Sequence, residues 1–525
     1  MKKTGERLYL SSITFLRAAA LGFRTAWQTT GLPAIVSGGA LLLAFVLFLG
    51  FVQFSTPNLP DNDGFYHIKM AEIMRLEGLK PDFPWLPLTI LNAREFYNHH
   101  FLFHVALIPF TLGDLRLGAK FAAVIFAVLA FLMVWWLLKL QRVPYAFLWG
   151  LGLLAVSEAF IYRMSITRAL SLSLLLLALG LHWLLTGRHV RLIFLGFLFV
   201  WAYNGFPLII ALAGIYIIAV WLVERRLDVR PGLFAVLGVT AGLIINPYFP
   251  HNLVFIIQHI LPKLLEATSI SVGNEWFPYT TAQLLTNSPL ALLAFISGAL
   301  ALGLSHQRMT VRTAASLLTA CLFGLMLFQS RRFIEYFPPF ALVFAAFAWS
   351  PLIQRALDQV RKSEGRFSVE RMRLGLWLAL ALVVLFAGAR MTFNDARSSI
   401  QNAKPYSLFA GAAAWLEDNT PPGSRVFQTD WDDFPRLFFY NTHNTYLVGL
   451  DPTYMQLYDA ELYDRWVAIT RGQVDNPSEA ILNEFGARYV VSDLHHRSFL
   501  AKADRDPRLV KVYSGADSVI FEIVE

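Results

Sequence analysis

Asp61 and Asp63, in Pro60-Asp61-Asn62-Asp63-Gly64-Phe65-Tyr66-His67, are carboxylates two residues apart. Such a pair can hold a hard cation through its oxygens or position a general base. Asp63 also precedes a helical pattern, Tyr66–Leu76, so a helix cap is the plainer explanation. Glu275 is a lone acid in Ser271-Val272-Gly273-Asn274-Glu275-Trp276-Phe277-Pro278-Tyr279-Thr280-Thr281. Among aromatics its charge demands a cation or a donor, unless it snorkels or caps. Arg331 and Arg332, in Ser330-Arg331-Arg332-Phe333-Ile334-Glu335-Tyr336, present planar forks suited to phosphate, with lipid headgroups or Glu335 as the competing partners. Arg163 and Arg168 add two more guanidiniums. His100 and His104, in Phe96-Tyr97-Asn98-His99-His100-Phe101-Leu102-Phe103-His104, could share a helical face and bind a metal. No acid completes that set, and an interfacial aromatic belt accounts for it better. Near the C-terminus, Trp431 lies between Asp430 and Asp432-Asp433, a patch suited to sugar or peptide recognition or to a solvated acidic turn.

The elements that must position these residues are dictated by composition. Of 525 residues, 56% are hydrophobic and 15% charged, and mean hydropathy is +0.51, against about 25% charge in soluble domains. A disordered or nucleic-acid-coating protein is excluded, and the apolar excess requires lipid. The net charge of +8 conceals a division. The tail from Ile400 carries about −7 and the rest about +15, with the basic residues in short loops between apolar runs, where they act as topology signals. A single cysteine, Cys321, precludes a disulfide framework or a thiolate zinc cluster.

The pattern predicts a polytopic α-helical membrane protein with about 11 spans. They are Gly31–Phe54, Leu115–Leu138, Pro144–Ile161, Ala169–Leu185, Leu192–Tyr203, Phe206–Val223, Gly232–Phe249, Pro289–Leu304, Thr313–Gln329, Ile334–Ile353 and Leu374–Phe393. Positive-inside places residues 1–30 in the cytoplasm, the first span as a retained anchor, and residues 55–114, 250–288 and the tail outside the cytoplasmic membrane. Residues 31–395 then form the membrane domain and 396–525 a soluble α/β domain. Its predicted strands are Arg425–Gln428, Thr445–Gly449, Arg488–Ser492 and Ser518–Val524, with helices at Ser407–Asn419 and Pro477–Phe485.

Taken in order, these motifs resemble the catalytic subunit of oligosaccharyltransferase, within the GT-C class of membrane glycosyltransferases. Asn62-Asp63-Gly64-Phe65-Tyr66 is similar to the family's first-loop acidic motif, whose Asp binds a divalent metal. Ser271-Val272-Gly273-Asn274-Glu275 looks like its S-V-S-E element, followed by a T-T echoed in Thr280-Thr281. Trp201-Ala202-Tyr203-Asn204-Gly205-Phe206 resembles the W-G-G-Y turn, and Trp431-Asp432-Asp433-Phe434 falls where the family has W-W-D-Y-G. The chain departs where the family has a second acidic pair, reading Tyr162-Arg163-Met164-Ser165-Ile166-Thr167-Arg168-Ala169-Leu170-Ser171 with no carboxylate. It also has about eleven spans against the family's thirteen, and Asp430 stands at the first Trp of W-W-D-Y-G, so sequon recognition does not carry over.

The resemblance implies inverting transfer of a glycan from a polyprenyl-phosphate or polyprenyl-diphosphate donor in the bilayer to a protein or glycolipid acceptor, with no nucleic acid involved. Asp63 and Glu275 would be catalytic; Arg331, Arg332, Arg163 and Arg168 would bind the donor phosphate; Trp431 and Asp432 would hold the acceptor. Manganese or magnesium would sit on Asp63 and Glu275, with Asp61, His99 and His100 as further ligands, although the missing acidic pair argues against a metal. A single-sugar GT-C transferase acting on lipid or polysaccharide is the alternative, and a lipid-linked-saccharide flippase the alternative from another class.

Overall fold

The computed structural model describes residues 32–260, 273–363 and 368–524. The predicted segment 1–30 and residues Ser271 and Val272 lie outside the described residues. Among the described residues six helices are long and apolar enough to cross a membrane: Ile35–Gln53, Leu115–Leu140, Pro207–Glu224, Val311–Gln329, Phe337–Lys362 and Val369–Gln401. Thr281–Asn287 and Pro289–Ser305, bent by 88°, make a seventh if taken as one span. Leu170–Leu185, Arg191–Ala202 and Arg230–Ile244 are shorter apolar helices packed in the same bundle. Arg191–Ala202 and Arg230–Ile244 lie so close that a Cβ on Gly238 would meet the Ile193 carbonyl oxygen at 2.3 Å. Only glycine permits that approach, the usual device where apolar helices cannot rely on hydrophobic segregation from lipid.

The predicted span Pro144–Ile161 is instead broken into Ala146–Gly152 and Glu158–Met164. Ser157 ends the apolar run by accepting from the Phe160 N–H at 3.1 Å, and its hydroxyl bonds that of Ser288 at 2.7 Å. Starting a new helix there carries Tyr162 and Arg163 inward. The last apolar helix outruns its predicted end at Phe393 and continues to Gln401. Its polar extension is held by Ser399 Oγ donating to Glu158 at 2.8 Å.

The tail carries a five-stranded sheet in the order β2-β1-β3-β5-β4, with β1 Arg425–Gln428, β2 Thr445–Tyr446, β3 Tyr489–Asp493, β4 Leu509–Ser514 and β5 Ser518–Ile523. β1 runs parallel to β2 and β3, while β5 is antiparallel to β3 and β4. Parallel neighbours need crossovers. Helix Phe434–Tyr440 supplies the first, and Thr453–Tyr458, Ala460–Thr470 and Pro477–Phe485 lie between β2 and β3.

The sheet and the segment 55–114 share one core. Phe83, Trp85, Phe96 and Tyr97 are buried against Phe434, Phe438 and Tyr446. Trp85 Nε1 donates to the Thr442 carbonyl at 2.9 Å, and the Tyr446 N–H donates to the Trp85 carbonyl at 2.8 Å. Buried Arg436 donates to Asn62 Oδ1 at 2.6 Å and lies 4.3 Å over the Phe65 ring. The tail is therefore fixed directly above the residues that carry Asp63.

Candidate active site

Asp63 is the first residue of helix Asp63–Glu77, yet it does not cap it: the N-cap position is Asn62, and no side chain caps the helix there. Its carboxylate instead meets Arg168, Oδ2 to Nε at 3.0 Å. Arg168 reaches across to Glu275, Nη1 to Oε2 at 3.2 Å. Arg163 also binds Glu275 Oε2 at 2.9 Å, and its Nε and Nη2 both contact the fully buried Glu335. Arg332 completes the ring at 3.6 Å from Glu275 Oε1, donates to the Tyr203 hydroxyl at 3.1 Å and lies 5.0 Å over Trp276. The loop bearing Glu275 is pinned by Ser330 Oγ donating to the Glu275 carbonyl at 2.8 Å and by the Arg331 N–H donating to Phe277 at 3.1 Å.

The two acids differ in charge state. Burial raises Asp63 to about 7, with Arg168 opposing and the neighbouring Asp61, Glu275 and Asp432 reinforcing the rise. Glu275 is partly buried, but Arg168, Arg332 and Arg163 together hold it well below the usual carboxylate range. One is poised to exchange a proton near neutral pH and the other stays ionised, the division of labour expected of an acid–base pair in unlike surroundings.

Both acids line a cavity of 820 Å³ together with Arg163, Arg168, Arg332 and Tyr203. Trp431 and Asp432 form its wall on the tail side. Burial lifts Asp432 to about 6, and it accepts from Asn62 Nδ2 at 2.7 Å and pairs with Lys404 at 3.7 Å. Arg331 does not line this cavity. It faces an adjoining one of 490 Å³, which also touches Arg163, Glu275 and Arg332, and it lies 5.1 Å over Tyr279. The site is thus reached from two sides, with Glu275 and two guanidiniums at the junction.

The histidines are not a lipid-facing belt. His67 and His104 are buried, 2.7 Å apart between ring nitrogens, and His67 and His100 form part of the cavity wall. Burial and mutual proximity push His67 and His100 well below the ordinary histidine value, so both are neutral. The divalent metal implied by the resemblance does not fit this arrangement. Arg168 already joins Asp63 to Glu275, and Asp61 turns to accept the Asp63 N–H at 3.1 Å. Among the described residues no group of three or more His, Cys, Asp or Glu is disposed to hold a metal, so Asp61, His99 and His100 do not assemble with them into a ligand set.

Sequence reasoning set Glu335 opposite its neighbours Arg331 and Arg332; in the folded chain its partner is Arg163. It missed Tyr203 as a cavity residue, although the Trp201–Phe206 turn was visible. It also missed Arg436 and Asn62, whose pairing has no local signature.

Compared by sequence, no protein-family model matches the chain and no curated protein does. Solved structures do match. The archaeal oligosaccharyltransferase AglB from Archaeoglobus fulgidus, in complex with an inhibitory peptide and a dolichol-phosphate, is 15% identical at a TM-score of 0.64, over 92% of this chain and 71% of that one. ArnT from Cupriavidus metallidurans bound to undecaprenyl phosphate is 17% identical at 0.57, over 92% of this chain and 98% of that one. The arabinofuranosyltransferase AftD from Mycobacteria is 14% identical at 0.54, over 94% of this chain and 40% of that one. This chain shares its fold with these three proteins.

Proposed function

We propose that the chain is an oligosaccharyltransferase-like membrane glycosyltransferase. It moves a glycan from a polyprenyl-phosphate or polyprenyl-diphosphate donor to a protein or glycolipid acceptor on the outer face of the cytoplasmic membrane. About eleven spans carry it, with the N-terminus cytoplasmic and the tail domain outside. The observation that carries this reading is the convergence of Asp63, Glu275 and three guanidiniums in one cavity roofed by Trp431 and Asp432. The dolichol-phosphate and undecaprenyl phosphate in the complexes with AglB and ArnT support a polyprenyl-phosphate donor.

In the reaction, an acceptor O–H or N–H attacks C1 of the donor sugar from the face opposite the phosphate. The acceptor proton passes to Asp63, the new bond to C1 forms, and the C1–O bond to phosphate breaks with its electron pair. Glu275, held ionised, keeps Arg163, Arg168 and Arg332 aligned. Each guanidinium carries five N–H donors, so bonds to carboxylates leave others for the departing phosphate. Arg331 draws the phosphate in from the second cavity, while Trp431 and Asp432 hold the acceptor.

The test is incubation of the purified protein with a panel of polyprenyl-linked saccharides and peptide or glycolipid acceptors, read by mass spectrometry. A mass gain on an acceptor is expected; donor translocation in liposomes without any transfer would replace this reading with a flippase. Transfer of a single sugar to a lipid or polysaccharide is the alternative to transfer of an oligosaccharide. The size of the mass gain separates the two.

A further inference from the structure

The segment that lacks the expected second acidic pair, Tyr162–Ser171, contains Arg168, the residue standing between the two candidate catalytic acids. We propose that the Arg168 guanidinium takes the place that the oligosaccharyltransferase resemblance gives to a divalent cation, making Arg168 the positioning residue of a metal-independent transferase. The inference rests on the transferase reading above.

Three features carry it. Nε and Nη1 of one planar group meet Asp63 at 3.0 Å and Glu275 at 3.2 Å, so a single side chain spans the gap that a shared ion would span. The fork is held in place: the Arg168 side chain is 12% exposed, and its backbone N–H donates to the Ile166 carbonyl at 2.8 Å. The ring also closes without a metal. Within the ion-paired ring Asp63, Glu275 and Glu335 face Arg163, Arg168 and Arg332, while the neighbouring Asp61 accepts the Asp63 N–H and Asp432 pairs with Lys404. A dication placed between Asp63 and Glu275 would have to displace the Arg168 guanidinium and sit beside the fixed cations Arg163 and Arg332.

The full-length protein in detergent provides the test, using Mn²⁺ as the probe. Titration followed by electron paramagnetic resonance should leave the six-line signal of aqueous Mn²⁺ undiminished by the wild-type protein. Transfer from a polyprenyl-phosphate saccharide should be the same with and without EDTA. Arg168→Ala should lower turnover about a hundredfold, the scale of losing one charged donor at a reacting centre, and Arg168→Lys should lower it less. Guanidinium ion at tens of millimolar should restore part of the Arg168→Ala rate, which a merely structural role for Arg168 would not allow. Binding of one Mn²⁺ by the wild type that Asp63→Asn abolishes would overturn the proposal, as would EDTA inactivation reversed by Mn²⁺ or full activity of Arg168→Ala. If no acceptor is modified under any condition, the transferase reading falls on that result alone. The wild-type Mn²⁺ titration still decides whether Arg168 excludes the ion.

Discussion

Assigning Asp63 as the proton acceptor makes the pH profile the sharpest test of the site. A base at about 7 is about 10% ionised at pH 6 and about 90% at pH 8, so kcat/KM should rise about tenfold between those values and level off above them. The sign is fixed by the role: the base must be deprotonated, so activity is lost as pH falls through about 7. The groups facing Asp63 are Arg168, Asp61, Glu275 and Asp432. Asp432, lifted by burial to about 6, could mimic the limb. Asp63→Asn should therefore abolish the limb and cost about 10²–10⁴ in turnover, or ~3–5 kcal/mol of transition-state stabilisation. Asp432→Asn should keep the limb and shift it slightly downward, since a neighbouring negative charge is removed. Arg168→Gln should move it up. A charge pair at 3.0 Å contributes about 1.4 kcal/mol even at the dielectric constant of water, so the shift should be at least about one unit. The assay is initial-rate transfer across pH 5.5–9 with protein integrity checked at each point. A flat wild-type profile, or an unchanged limb in Asp63→Asn, would refute the assignment of Asp63 as base.

Other outcomes follow from the same geometry. Arg332→Gln should weaken binding of polyprenyl phosphate by about tenfold or more, since it touches Glu275 and lines both cavities, while Arg331→Gln should cost less; titration calorimetry in detergent separates them. Glu335→Gln breaks a buried ion pair with Arg163 and should cost about 3–5 kcal/mol, seen as a fall of several degrees in melting temperature. Trp85→Ala removes an aromatic ring from the core shared by tail and outer loop and should cost about 3–5 kcal/mol, with faster proteolysis between residues 402 and 410 as the readout.

The membrane body was legible because lipid forces long apolar runs, and the helices Leu170–Leu185 and Val311–Gln329 fall within two residues of their predicted ends. Where polar residues continue a helix against protein, as at Asn394–Gln401, hydropathy stops too early. Ser157 splits a span by capping, which no apolar average detects. In the tail, β4 escaped notice because Leu509–Ser514 is largely exposed and carries Lys511, and Ala460–Thr470 because its apolar face is narrow. Charges such as Glu275 and Arg163 stood out against their apolar surroundings. Their pairing did not, because Arg163 finds Glu335 and Arg168 finds Asp63 only after distant segments are packed together.

The joint between tail and outer loop has a consequence for engineering. Arg436, Trp85 and Asn62 stitch the sheet to residues that belong, in sequence, to the membrane body. The sheet is therefore not a portable cassette. A chimera intended to import acceptor preference from a relative by exchanging residues after 403 would leave Phe83, Trp85 and Tyr97 facing a foreign surface. Such an exchange should succeed only when residues 58–110 travel with the tail, so that the two halves of the seam are inherited together.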